Sequence, residues 1–270
     1  MAAERFVTDD LARAIALEPP ATRVVSLAPS CTDSLLAIGA HERLVGIEEH
    51  SELPAELCAV PRVGGFKHVD LERVAALAPD LIVAASLHAV RLVPRLAMTD
   101  ARVFVSQPRT VDSIVDGMAR LAALLGLARE AATIVAQARH RIGAVLERTL
   151  KGGPRPLIYV ELSPRGHTGG PQSFLDDLVT KAGGVNLGGV ARVEWPVLPP
   201  SLVRRFDPDV IVIAEYPGSA TRASLAARDG WDRLRAVKAG HVVAIPAPLI
   251  KRPGPPVLDG LERLAALFAV

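Results

Sequence analysis

Two aromatic residues and two histidines stand where their types and spacing suit the capture of a ligand. Phe66, in VGGFKH, and Trp195, in VEWP, lie beside Gly or Pro in expected loops, in a chain with only ten Phe, Trp and Tyr residues. Flat apolar rings offered from two loops suit a large planar ligand; the competing reading is that each ring packs beneath its own lobe. His50, in GIEEHSELP, and His167, in PRGHTGGPQSF, each follow an expected strand, and α/β sheets take their ligands at the carboxyl ends of strands. Both imidazoles are expected to face a cleft, and a neutral imidazole can coordinate a transition metal there. His88 follows a third strand and is a further candidate contact. His41, His140 and His241 fall at a helix end, in mid-helix and at a turn, and read as structural.

Other chemistries lack their residues. The first strand is not followed by GxGxxG, and neither a Walker A sequence nor a GxSxG elbow occurs. Asp176 and Asp177 open a helix, where acids stabilise the N-terminus, and Glu48 and Glu49 point to opposite faces of an extended segment. Cys31 and Cys58 form neither a CxxC nor a Cys/His zinc pattern. Cys31 begins the first helix, where the dipole favours a thiolate, but it reads as a buried, inert thiol. The chain is expected to bind, not to catalyse.

The elements that must position these residues alternate. Strands are expected at Arg23–Ala28, Leu44–Glu49, Leu81–Ser86 and Arg102–Gln107, then at Leu157–Leu162, Val210–Tyr216 and Val242–Ile245. Helices are expected over Leu71–Leu77 and Phe174–Ala182, with one after the first strand capped by Ser30 or Thr32. Between the two strand groups lie Asp112–Leu125 and a 23-residue stretch, Ala128–Leu150, with Ile134, Ala138, Ile142 and Val145 at helical spacing. A repeat organises the whole. LERVAALAPDLIV (71–83) matches PSLVRRFDPDVIV (200–212), with Pro79 and Pro208 lying 129 residues apart and Phe66 and Trp195 each thirteen residues ahead of them. The reading is α/β: two similar lobes bridged by one long helix, with domains 1–111, 112–153 and 154–270 and a ligand cleft between the lobes.

Length and composition agree. The 270 residues are half apolar, enough for two lobes. A net charge of +2 without a cationic run gives no reason for a nucleic-acid partner. No apolar run is long enough for a transmembrane helix. Met1 to Asp10 carries acids early, which does not suit a signal peptide, so the expectation is either a mature chain or a cytoplasmic protein.

Four segments, RVVSLAPSCTDSLLAIGAHERLVGI, RVGGFKHVDLERVAALAPDLIVA, SFLDDLVTKAGGVNL and WDRLRAVKAGHVVAIP, resemble in order the substrate-binding proteins of ABC importers for cobalamin, haem and iron-siderophores. The resemblance runs from Arg23 to Phe268 and is nearest to the cobalamin branch. It implies two Rossmann-like lobes joined by a single helix, a monomer without a cofactor of its own, and a corrinoid, haem or iron chelate held between the lobes for an ABC importer permease. A corrinoid carrier or sensor without a transporter is the alternative. The resemblance puts Phe66, Trp195, His50, His167, Arg252 and Ser30 at ligand-facing positions, with His50 and His167 as candidate metal ligands. Family members dock through a glutamate on each lobe; Glu72 matches the first, whereas the repeat puts Ser201 at the second.

Overall fold

Runs of β-branched and aliphatic residues become two parallel sheets in the computed structural model, which describes residues 6–65, 68–85, 93–96 and 99–269. Phe66 and His88 lie outside the described residues. The chain divides into two compact units: Met1–Pro108 with Ser113–Ala138, and Arg109–Asp112 with Arg139–Val270.

The first unit opens with a hairpin, β1 (Phe6–Thr8) and β2 (Ala14–Ala16). Then come β3 (Val24–Ser26), α1 (Pro29–Ala37), β4 (Leu44–Ile47), the hairpin β5 (Gly64–Gly65) and β6 (His68–Val69), and α2 (Leu71–Ala76). After β7 (Leu81–Ala85), α3 (Val93–Leu96) and β8 (Arg102–Ser106), the chain enters α4 (Val111–Leu124) and α5 (Ala128–Leu150). The sheet order is β4-β3-β7-β8, all parallel. The second unit continues with β9 (Leu157–Glu161), α6 (Phe174–Lys181), β10 (Val185–Asn186), α7 (Pro200–Phe206) and β11 (Val210–Glu215). It ends with α8 (Arg222–Ala226), α9 (Arg235–Lys238), β12 (Val242–Pro246), α10 (Ala247–Lys251) and α11 (Val257–Phe268). Its sheet runs β10-β9-β11-β12, again parallel. Both sheets thus follow the same order: second strand, first, third, fourth.

Parallel sheets are covered on both faces, so their central strands carry unbroken apolar runs. Val24 and Val25 in β3, Leu81 to Ala84 in β7, and Ile211 to Ala214 in β11 are all buried. The Pro-Asp dipeptide of the repeat has one job in both units. The Asp80 carboxylate accepts the N–H groups of Thr22 and Arg23 at 2.8 and 3.0 Å, while its own N–H donates to the Arg23 carbonyl. Asp209 repeats this, accepting the Leu157 N–H at 2.8 Å and donating its own N–H to the Leu157 carbonyl. Each aspartate ties the start of the third strand to the start of the first.

Two local expectations are corrected. Helix α1 starts at Pro29 with Ala28 as its N-cap, so Ser30 and Thr32 lie inside the helix and cap nothing. Proline at the first helical position has no N–H for a cap to satisfy. Along α5, Ile134 is 37% exposed, and the buried stripe runs through Ala131, Val135, Ala138, Ile142 and Val145. Ile134 sits on the margin of that stripe, and Val135 fills the opposite margin.

Burial raises the Asp80 carboxyl, but the N–H groups of Thr22 and Arg23, the Thr22 hydroxyl and the charge of Arg102 outweigh it and hold it below its ordinary 3.8. Such a group adds stability that is complete above the unfolded value, about pH 4, and is lost as the pH falls through the folded one. Asp80→Ala is expected to lower stability by about 1–3 kcal/mol at pH 7, through two unmet N–H groups, and by less at pH 3. Urea titrations at both pH values check this; an equal loss at each would contradict it.

Candidate functional site

Because the strands of each sheet are parallel, the loops after them leave at one edge. In the first unit the loops after β3 and β4 meet over a buried polar cluster. Ser26, Thr32, Ser51 and Glu48 are all buried. The Thr32 hydroxyl donates to Ser26 Oγ at 2.8 Å and lies 2.9 Å from Ser51 Oγ. Arg62 spans the next turn, donating from Nη1 to the carbonyls of Glu49 at 2.6 Å and Ser51 at 3.0 Å. His50 projects from that turn, with Nδ1 2.7 Å from Glu48 Oε1. Ser30 is buried in the first turn of α1, and its carbonyl accepts from the Ser34 hydroxyl.

In the second unit the Gly-rich loop after β9 builds a ribbon. Thr168 and Gly170 donate N–H groups to the carbonyls of Pro196 and Glu194, Leu198 donates to the Gly166 carbonyl, and His167 pairs antiparallel with Val197. This ribbon explains two of the glycines. Gly166 has φ of +81°, and a Cβ on Gly170 would lie 2.2 Å from the Val193 carbonyl oxygen. Val193, Trp195, Val197 and His167 are all exposed on this ribbon. The Trp195 ring rests against buried Phe174, centroids 5.7 Å apart, yet remains 44% exposed. The ring thus packs on its own unit and keeps part of its surface open. His167 Nδ1 lies 2.7 Å from Ser163 Oγ.

Below this ribbon, at the end of β9, Glu161 is buried and takes two bonds from Arg228, at 2.5 and 2.8 Å, with a third from the Tyr159 hydroxyl at 3.2 Å. Arg228 also stacks 4.7 Å from the Trp231 ring centre. Burial, then the Glu161 charge and hydrogen bond, push the Tyr159 hydroxyl far above its ordinary range, so it stays a neutral donor. At the same edge, α10 carries Lys251, whose ammonium lies 4.1 Å from the Tyr216 ring centre, and half-buried Arg252 follows at its C-cap. Burial first, then the Arg252 charge, lower the Lys251 pKa.

The structure therefore brings His167 and Trp195 onto one ribbon and puts Arg252 at the same sheet edge. His50 and Ser30 belong to the corresponding edge of the first unit. Glu48, Tyr216 and Lys251 were missed by sequence reasoning. For Glu48 the sequence held a signal in the acid two residues before a candidate histidine, since a carboxylate can accept from the ring of such a histidine. Tyr216 and Lys251 meet only through the fold. Glu72 is exposed in the first turn of α2, and Ser201 is exposed at the start of α7. Among the described residues no group of three or more His, Cys, Asp and Glu could hold a metal ion by itself. A hollow of about 460 Å³ lined by Arg155, Pro156, Asp209, Val210, Arg235 and His241 opens at the opposite edge, where the strands begin. Its Asp209 and Arg155 are engaged with Leu157 and with the carbonyls of Thr180 and Gly184.

Cys31 is 2% exposed, and burial pushes its thiol up to about 12, against the opposing hydrogen bond of Ser30 and with the Asp33 charge adding to the rise. Cys58 is exposed. A disulfide reagent such as DTNB at pH 8 is expected to titrate one thiol per native chain and two after unfolding. Rapid reaction of both thiols in the folded protein would contradict the inert Cys31.

The profile of a family described as "Periplasmic binding protein" matches residues 24–249. A cobalamin-binding protein of Halobacterium salinarum is 29% identical over 264 residues, covering 94% of this chain and 71% of that protein. An ABC transporter substrate-binding lipoprotein of Bacillus subtilis is 26% identical, covering 90% of this chain and 78% of its own. The crystal structure of the periplasmic vitamin B12 binding protein of Vibrio cholerae superposes with a TM-score of 0.80 at 25% identity, over 92% of this chain and 97% of that one. A periplasmic heme-binding protein of Roseiflexus reaches the same TM-score, 0.80, at 21% identity, covering 92% of this chain and 97% of that one, and so shares the fold. With parallel sheets of one order in both units and a family match over most of its length, the chain belongs to the periplasmic binding proteins.

Proposed function

We propose that the chain binds a large planar metal chelate, in the first place cobalamin or another corrinoid, through loops at the carboxyl edge of its strands, and hands it as a monomer to an ABC-type importer permease. The observation that carries this is the group of exposed side chains on the ribbon, Val193, Trp195, Val197 and His167, apolar apart from one imidazole. Such a group suits the flat, largely apolar surface of a macrocycle. Arg252 and Lys251, at the same edge, suit the carboxylate or amide groups on a macrocycle's rim. Relatives named for cobalamin and vitamin B12 support the corrinoid. Haem is the second reading, favoured by the exposed imidazole of His50. Phe66 is proposed to add a second aromatic from the first unit, with His88 and Ser30 as further contacts. Glu72 is the proposed docking residue for the permease, and Ser201 leaves the second docking position without a charge. Release into an importer places the protein outside the cytoplasmic membrane.

Absorbance titrations with aquocobalamin and with haemin test the reading, with stoichiometric binding of aquocobalamin expected. Trp195→Ala is expected to weaken it by roughly 1–3 kcal/mol while the melting temperature stays close to wild type. An unchanged dissociation constant would remove the ribbon from the site. A large fall in melting temperature without ligand would instead assign Trp195 to the packing of Phe174.

A further inference from the structure

The turn after β4 contains a carboxylate in an unusual setting. Glu48 is 1% exposed, while the His50 side chain that contacts it is 71% exposed. Glu48 Oε2 accepts the His50 backbone N–H at 2.9 Å and lies 3.5 Å from the Ser51 hydroxyl; Oε1 lies 2.7 Å from the ring Nδ1. Nearby Arg62 donates to the carbonyls of Glu48, Glu49 and Ser51 and so braces the turn. An ionised carboxylate accepts hydrogen bonds and cannot donate them. Beside an ionised Glu48 the nitrogen facing it carries the proton, and in a neutral ring the lone pair then lies on Nε2, the nitrogen away from Glu48. This is the arrangement by which a carboxylate orients a metal-bound histidine. His167 lacks it: its Nδ1 faces the Ser163 hydroxyl, which can donate or accept and so leaves the tautomer open.

We propose that Glu48 is a positioning residue, which holds His50 in the Nδ1–H tautomer and turns the Nε2 lone pair outward as a donor to the metal of the bound chelate. The inference deepens the ligand reading above and rests on it for the identity of the acceptor. It also separates the two candidate histidines, assigning the donor role to His50.

A substitution that keeps the shape of Glu48 makes the idea sharp. Glutamine offers one oxygen and one NH2 group. The His50 backbone N–H requires the oxygen at the Oε2 position, so the NH2 group faces Nδ1 and donates to it. Glu48→Gln should therefore move the ring proton from Nδ1 to Nε2 and remove the outward lone pair. Glu48→Asp, still a carboxylate, should keep the wild-type tautomer. Long-range 1H–15N spectra of ligand-free protein labelled with 15N-histidine, at pH 8, read the tautomer directly. The expected result is a protonated Nδ1 in wild type and Glu48→Asp, and a protonated Nε2 in Glu48→Gln. Absorbance with haemin should then show an imidazole-ligated iron in wild type and lose that signature in Glu48→Gln, while quenching of tryptophan fluorescence still reports binding. A wild-type ring protonated at Nε2, or at both nitrogens, would overturn the proposal, and this measurement needs no variant to fold. A haemin spectrum unaffected by the exchanged tautomer would overturn the donor role. Wild type with the expected tautomer that binds neither haemin nor aquocobalamin would defeat the ligand reading and leave the positioning by Glu48 standing.

Discussion

Each unit depends on one carboxylate at the entry of its third strand. Asp80 and Asp209 accept N–H groups at the start of the first strand, fixing the register of two parallel strands at the edge away from the site. Register in a parallel sheet decides how far each strand reaches before its loop begins. The heights of the turn that carries His50 and of the loop that carries His167 follow from that pairing. A side chain at one edge of the sheet thus bears on where the loops of the other edge stand.

The carboxyl edges handle buried charge in two ways. Glu161 is neutralised in place: Arg228 brackets it with two bonds, and the guanidinium is covered by Trp231. A buried pair with this geometry is costly to break, because removing either partner strands the other. Glu48 instead faces uncharged hydroxyls, a backbone N–H and an exposed imidazole. The first arrangement closes a buried charge within its own unit; the second leaves a buried carboxylate in contact with one exposed ring.

Legibility in the sequence followed physical range. The strands were readable because both faces of a parallel sheet are buried, so LIVAA and VIVIA stand out as apolar runs. The long helix was readable from its period, although Ile134 shows that a period alone does not choose between neighbours at the margin of a stripe. The duplication was legible through the repeated Pro-Asp turn, which acts the same way in both units; strand order was not read from the sequence. Within the site, His167 and Trp195 were picked separately; their meeting depends on hydrogen bonds between segments some thirty residues apart, which no local pattern encodes. The contact of Lys251 with Tyr216 is of the same kind. Ser30 was expected as a helix cap, but Pro29 starts the helix and leaves that serine in its first turn.

The chain is interlaced between its units. Arg109–Asp112 belongs with the second unit, yet Ser113–Ala138, which comes later, belongs with the first. The short piece is bound in its place: the Val111 N–H donates to Asp177 at 2.7 Å, and Asp112 pairs with Lys181 at 3.0 Å. No single peptide bond therefore separates one unit from the other. A crossover between two genes of this kind that fell at any one point would deprive one half of a segment it needs, unless the partner gene supplied its equivalent.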